Sequence, residues 1–180
     1  FADALRHFAK TAKKPFTLCY CGSIGAQYRL PEMLDIACKM KTQIPELQFR
    51  LFSQYQDVVQ RALEDKGLHE ESWIDCKAVP SEKVPEELVQ CDLGIALREP
   101  SFSTQAILPI KLGEYLLAGL PVIGTPGVGN TDQLSDFGVF RSAEADDLEE
   151  TLSWVVDEVL PNRALMREKS HAAGKKYFSL

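Results

Sequence analysis

The chain has 180 residues, with 20 Lys and Arg against 26 Asp and Glu for a formal net charge of -6, and 45% of its residues are hydrophobic. That apolar share fills one core and excludes intrinsic disorder, while the acidic balance argues against non-specific binding of nucleic acid, which needs a basic face. No apolar run approaches the ~20 residues that cross a bilayer, and the opening Phe1-Ala-Asp-Ala-Leu-Arg-His7 lacks the form of a signal peptide. Beginning on Phe and entering a helical pattern at once, the chain is expected to be a single domain cut from a longer protein. Its five cysteines are odd in number and form no CxxC pair, which suits buried thiols in a reducing, cytoplasmic setting.

Strand and helix patterns alternate along the chain. Phe16–Cys21 reads as a buried strand, with Cys19 and Cys21 on one face. Gly22-Ser-Ile-Gly25 stops it, and Pro31 opens a helix carrying Met33, Leu34, Ala37 and Met40. Leu47–Phe52 is a second strand, followed by a helix over Val58–Lys66 that Gly67 ends. Trp73–Cys76 is a weaker strand, and Ser81 is placed to cap a short helix to Leu88. Cys91–Leu97 then reads as a strand, and a polar loop leads to a helix over Pro109–Ala118. Val122–Thr125 is a short strand, Pro126–Asn130 a glycine-rich turn and Thr131–Leu134 a short helix. Gly138–Phe140 reads as an edge strand, and helices over Ala145–Val159 and Asn162–Tyr177 finish the chain.

This alternation predicts an α/β fold, a Rossmann-like doubly wound parallel sheet of about six strands with helices on both faces. Right-handed crossovers put the strand-to-helix loops at one sheet edge, where ligands bind at the reversal of strand order. The loops Gly22–Leu30, Lys77–Ser81, Arg98–Leu108 and Pro126–Asn130 are therefore expected to face one crevice.

Two stretches carry chemistry. The loop Gly22–Pro31 opens a helix, so its glycines and free N–H groups suit a phosphate, and Arg29 is placed to add a bidentate contact. Its glycine spacing matches neither the dinucleotide fingerprint nor a Walker loop, and such a turn is often only a turn. In Pro109–Ile123, Lys111 and Glu114 lie three apart on one helix face. A solvated ion pair is the plain reading. The otherwise apolar helix favours a second one, in which a carboxylate accepts two ribose hydroxyls.

The run Pro109-x-Lys-x-x-Glu-Tyr-x-x-x-Gly-x-Pro-Val122 resembles the signature of GT-B-fold glycosyltransferases. More narrowly, it resembles the C-terminal, nucleotide-sugar-binding half of retaining enzymes of the group 1 or family 4 kind, which build bacterial surface polysaccharides. Phe16–Ser23 and Cys91–Ala96 resemble two strands of that half, and the resemblance runs from about Phe16 to Tyr177. It implies a nucleoside diphosphate sugar as donor and a glycan or lipid-linked acceptor held by an N-terminal domain outside this chain, with no cofactor. It implies that Glu114 binds the ribose, that amides at Ile110 and Lys111 hold the diphosphate, and that Arg29 neutralises it as the leaving group departs. Val79 matches the position whose main chain reads the base, and Gly22 and Ser23 line the pocket.

Two positions depart from the pattern. Many relatives carry a second acid with seven residues between it and the ribose acid, where this chain has Ala106, and many carry Arg where it has Ser23. The resemblance then leaves Arg29 as the single cation expected to balance the diphosphate, with Arg98 or Lys111 as candidates to help it. His7, His69 and His171 are scattered over polar segments, no acidic pair is placed to hold a metal, and Glu144–Glu150 suits a helix N-terminus. The basic residues Arg163, Arg167, Lys169, Lys175 and Lys176 suit either a solvated helix face or peripheral contact with the inner face of a membrane. Two other functions remain open: a GT-B-type sugar-nucleotide epimerase, and a non-catalytic α/β interaction domain, which Ala106 and Ser23 would favour.

Overall fold

The computed structural model describes residues 14–99, 110–128 and 131–178. Strands β1 (Thr17–Cys21), β2 (Gln48–Phe52), β3 (Ile74–Lys77), β4 (Leu93–Ala96), β5 (Val122–Gly124) and β6 (Phe140–Ser142) alternate with helices. These are α1 (Leu30–Gln43), α2 (Gln56–Asp65), α3 (Val84–Leu88), α4 (Ile110–Leu117), α5 (Thr131–Asp136), α6 (Leu148–Trp154) and α7 (Arg163–Phe178). All six strands are parallel, in the order β3-β2-β1-β4-β5-β6. The order reverses between β1 and β4, the crevice at which a doubly wound sheet takes its ligand.

Each predicted element is present, with ends shifted by local chemistry. Ser81 lies within a 3₁₀ turn over Ser81–Lys83 and makes no cap hydrogen bond, because the helix after it starts at Val84-Pro85. The edge strand begins at Phe140 instead of Gly138, which sits at φ 76° in the turn before it. The helix predicted over Ala145–Val159 is a 3₁₀ turn, then α6, then a π turn over Val155–Val159.

Side chains alternate across the sheet, so each face has its own core. Leu18, Tyr20, Phe49, Leu51 and Ile95 pack with α1, α2 and α6. Cys19, Cys21, Phe52 and Val122 pack with α3, α4 and α7, so the two β1 cysteines do share a face.

The site depends on how α4 is seated. Tyr115 is fully buried, and its hydroxyl accepts the Cys21 N–H at 2.7 Å and donates to the Ile95 carbonyl at 3.4 Å. The β1–β4 pairing covers Leu18↔Leu93 and Cys19↔Gly94, so the hydroxyl bridges the strands just past that pairing. Gly94 makes room for the ring, since a Cβ there would lie 2.5 Å from Tyr115 Cδ2. On its other side α4 is clamped by α7. A Cβ on Gly174 would meet the Leu116 and Leu117 main chain at 2.8 Å. Arg167 donates to the carbonyls of Ala118 at 3.0 Å and Cys91 at 2.6 Å, and His171 Nδ1 lies 2.8 Å from the Leu117 carbonyl.

Gly94→Ala is expected to destabilise the fold by about 1–3 kcal/mol, the usual cost of overpacking a filled core. A urea unfolding midpoint equal to the parent's would show that the Tyr115 ring yields freely.

Candidate functional site

The crevice is built from the first loop, the end of β4 and the start of α4. Glu99 N–H donates to the Gln27 carbonyl at 2.8 Å, which ties the loop after β4 to the loop after β1. Arg98 N–H donates to Thr125 Oγ1 at 3.0 Å, and that hydroxyl donates back to the Arg98 carbonyl at 3.0 Å, which joins the end of β5. Most of the predicted loop Arg98–Leu108, with Ala106, lies outside the described residues, as do Pro109, Gly129 and Asn130.

Lys111, in the first turn of α4, reaches across to the first loop. A Cβ on Gly22 would lie 2.3 Å from Lys111 Cε and 2.8 Å from its Nζ, so the glycine is the seat of the lysine. Gly22 has φ 135°, a backbone that side-chain-bearing residues rarely adopt, and its N–H donates to the Phe52 carbonyl at 2.9 Å. Above that seat Lys111 Nζ lies 4.2 Å from the Tyr20 ring centre and 4.1 Å from that of Tyr28, and it donates to the Tyr20 hydroxyl at 2.5 Å. Tyr20 in turn donates to the Ser23 carbonyl. Burial, with a smaller push from Arg98, brings the Lys111 amine down to about 8 against the opposing pull of Cys21 and Glu114. Removal from water also raises the Cys21 thiol to about 11 and the Tyr20 phenol above its ordinary value.

Glu114 stands one turn further along α4. It is exposed, and among the described residues its carboxylate makes no hydrogen bond or ion pair. The protein around it withholds enough water to raise its pKa, an effect that the Lys111 charge only partly offsets. The sequence placed the two on one helix face. In the structure the lysine turns toward the first loop instead of toward the acid. Ile110, at the start of the helix, is 78% exposed.

Arg29 also sits on the first loop, with its charge spent inside the fold. Its guanidinium lies 3.0 Å from Glu144, 3.6 Å from Glu32 and 3.9 Å from Glu99. Its backbone is left-handed at φ 47°, a conformation costly for a residue other than glycine. Ser23 is exposed beside the crevice. Val79 is buried against the second core, and its carbonyl accepts from Gln54 Nε2 at 3.0 Å.

Tyr20 and Tyr28 are the site residues that sequence reasoning missed. Tyr20 reads as one more buried residue of an apolar strand. Tyr28 precedes an arginine that draws the eye, and only its nearness to Lys111 marks it.

Other candidates lie elsewhere. His69 is exposed in a turn, His171 serves the α4–α7 contact, and His7 is outside the described residues. Among the described residues no group of three or more His, Cys, Asp and Glu is placed to hold a metal, and no helix is long and apolar enough to cross a membrane. Of the basic residues of α7, Arg167 turns inward to cap α4, and Arg163 lies 3.5 Å from Asp92.

No protein-family model and no curated protein matches the chain. Solved structures do. WaaG, a glycosyltransferase involved in lipopolysaccharide biosynthesis, superposes with a TM-score of 0.71 at 15% identity, over 98% of this chain and 47% of its own. The catalytic domain of the Helicobacter pylori cholesterol-α-glucosyltransferase gives 0.66 at 16% identity, over 91% of this chain and 99% of its own. Anabaena HepE in complex with UDP-glucose gives 0.62 at 16% identity, over 91% of this chain and 44% of its own. The domain has the Rossmann-like α/β fold of GT-B glycosyltransferases. It spans less than half of the WaaG and HepE chains.

A buried amine held by two rings and one hydroxyl is an expense to the fold. Lys111 is lowered in the folded state, so the unfolded chain binds more protons between about pH 8 and 10.5, and the penalty is fully present below about 8. Lys111→Met is expected to be more stable than the parent at pH 7, by on the order of 1–3 kcal/mol, with the advantage shrinking above pH 8. Paired denaturation curves from pH 6 to about 9 check this, stopping short of the range in which the raised Cys21 titrates. A constant difference between the two proteins would refute it.

Proposed function

We propose that this domain binds the nucleoside diphosphate sugar of a retaining glycosyltransferase. With an acceptor-binding domain beyond this chain, it transfers the sugar to a glycan or lipid-linked acceptor in surface polysaccharide synthesis, in the cytoplasm or at the inner face of the membrane. One observation carries the reading: the first loop and the start of α4 meet at the switch point, and Glu114, a carboxylate with no partner among the described residues, stands one turn beyond the contact. The shared fold with glycosyltransferases supports it, as does the nucleotide sugar bound by Anabaena HepE.

In this reading the chemistry needs little from the domain beyond holding and charge. Glu114 accepts hydrogen bonds from two ribose hydroxyls and fixes the donor. The α4 amides at Ile110 and Lys111 face the diphosphate, Gly22 and Ser23 wall the pocket, and the main chain at Val79 meets the base. As the bond from the sugar carbon to the diphosphate oxygen breaks, its electron pair passes to the leaving group, and fixed positive charge beside that oxygen lowers the barrier. Arg29, ringed by carboxylates, contributes by holding the first loop in shape.

The chain is expected to bind UDP, GDP or ADP saturably, and Glu114→Gln to weaken the preferred nucleotide at least about tenfold, roughly 1.4 kcal/mol. The 2′-deoxy analogue is expected to bind the parent weakly but to lose little more in the variant. Affinity also falls as the medium is acidified, beginning above the ordinary carboxylate range, because protonated Glu114 accepts poorly and its pKa is raised. Calorimetric titration that finds no saturable binding of any of the three overturns the reading.

A further inference from the structure

We propose that Lys111 and Arg98, gathered on the ring of Tyr28, are the charges that take the donor's diphosphate, in place of Arg29 on the first loop. This rests on the donor-binding reading above and names the residues that would carry its electrostatics.

Arg29 is outnumbered three to one by carboxylates within ion-pair distance, so its neighbourhood would repel a diphosphate. Lys111 is the reverse case. Its amine is held by the faces of Tyr20 and Tyr28 and by the Tyr20 hydroxyl, and none of the ion pairs among the described residues includes it. Rings and a neutral hydroxyl satisfy an ammonium only in part, and among the described residues Tyr20 Oη is the one oxygen that accepts from it.

Arg98 shares the same ring, with its Cζ 5.9 Å from the centre of Tyr28. Its Nε is buried and has no hydrogen-bond partner among the described residues. A buried guanidinium N–H without an acceptor is costly and rare, and an incoming phosphate oxygen would satisfy it. The Arg98 main chain is pinned through Thr125 in both directions, so the side chain starts from a fixed point.

Two like charges on one aromatic ring repel each other, and part of the lowered proton affinity of Lys111 comes from Arg98. Among the described residues the groups that act on Lys111 are Tyr20, Tyr28, Cys21, Arg98 and Glu114, and of these only Glu114 is anionic at neutral pH. A diphosphate between the two cations would remove the repulsion, supply the missing acceptors and restore the lysine's ordinary proton affinity. Glu114, one turn along the same helix, is then spaced to reach the ribose that follows the diphosphate. Gly22 is explained as well: a side chain there would displace the lysine before any ligand arrived.

Inorganic pyrophosphate, UDP, GDP and ADP are titrated into the parent, Lys111→Met, Arg98→Met and Lys83→Met, a control on an exposed lysine. Each variant is checked for a native melting transition. The expected result is a loss of about tenfold to a hundredfold in diphosphate affinity for Lys111→Met and for Arg98→Met. Uridine, guanosine and adenosine should bind within about twofold of the parent, and Lys83→Met should behave as the parent does. In the parent, pyrophosphate should also raise the Lys111 amine pKa from about 8 by a unit or more, read by NMR of the lysine side chain. If the parent binds a diphosphate while both variants keep its affinity, or if the Lys111 amine titrates unchanged with pyrophosphate bound, the assignment fails and the donor-binding reading stands. If the parent binds none of the four probes, both fail together.

Discussion

The placement of Tyr115 at the reversal of strand order governs the rest of the molecule. Parallel pairing between β1 and β4 covers only two residue pairs, and beyond it the main chains need another hydrogen-bond partner. The tyrosine hydroxyl supplies one by accepting from Cys21 and donating to Ile95. Its ring fits only because Gly94 has no side chain. A buried N–H left without that acceptor would cost about 1–3 kcal/mol, so the helix bearing the tyrosine is held to one position. Through that position the helix sets Lys111 against the first loop, with Glu114 one turn further along.

The same helix is gripped from outside by α7, where Gly174 permits close approach of two backbones and Arg167 takes the carbonyl of Ala118. A scaffold this tightly held can carry unfavourable charge placements nearby. Lys111 is half-buried with aromatic faces for company, and among the described residues Glu114 has no counter-ion in contact. Arg29, by contrast, is fully matched. Charges that a fold leaves unsatisfied next to its ligand edge are the ones free to meet a ligand, whereas satisfied ones hold shape.

Local pattern carried most of the fold. The alternation of apolar runs with helical periodicity was legible from Phe16 to Tyr177, and parallel pairing with right-handed crossovers follows from it. Element ends were less legible, as at Ser81 and Gly138, because a cap or a left-handed turn depends on where the neighbouring strand has to go. The helix ending in a π turn at Val155–Val159 carried no local sign, since its residues suit an ordinary α-helix equally well.

For the ligand edge, the sequence alone placed the loop after β1 and the start of α4 at one edge of the sheet, because chain order and strand direction settle that relation. It determined residue types, and so which groups are able to carry charge. Only the tertiary structure decided which charges are spent and which are held open. Arg29 is answered by Glu144, 115 positions away, and Lys111 by Tyr20, 91 positions away. Such partners are brought together by the sheet's crossovers, and no spacing along the chain records them.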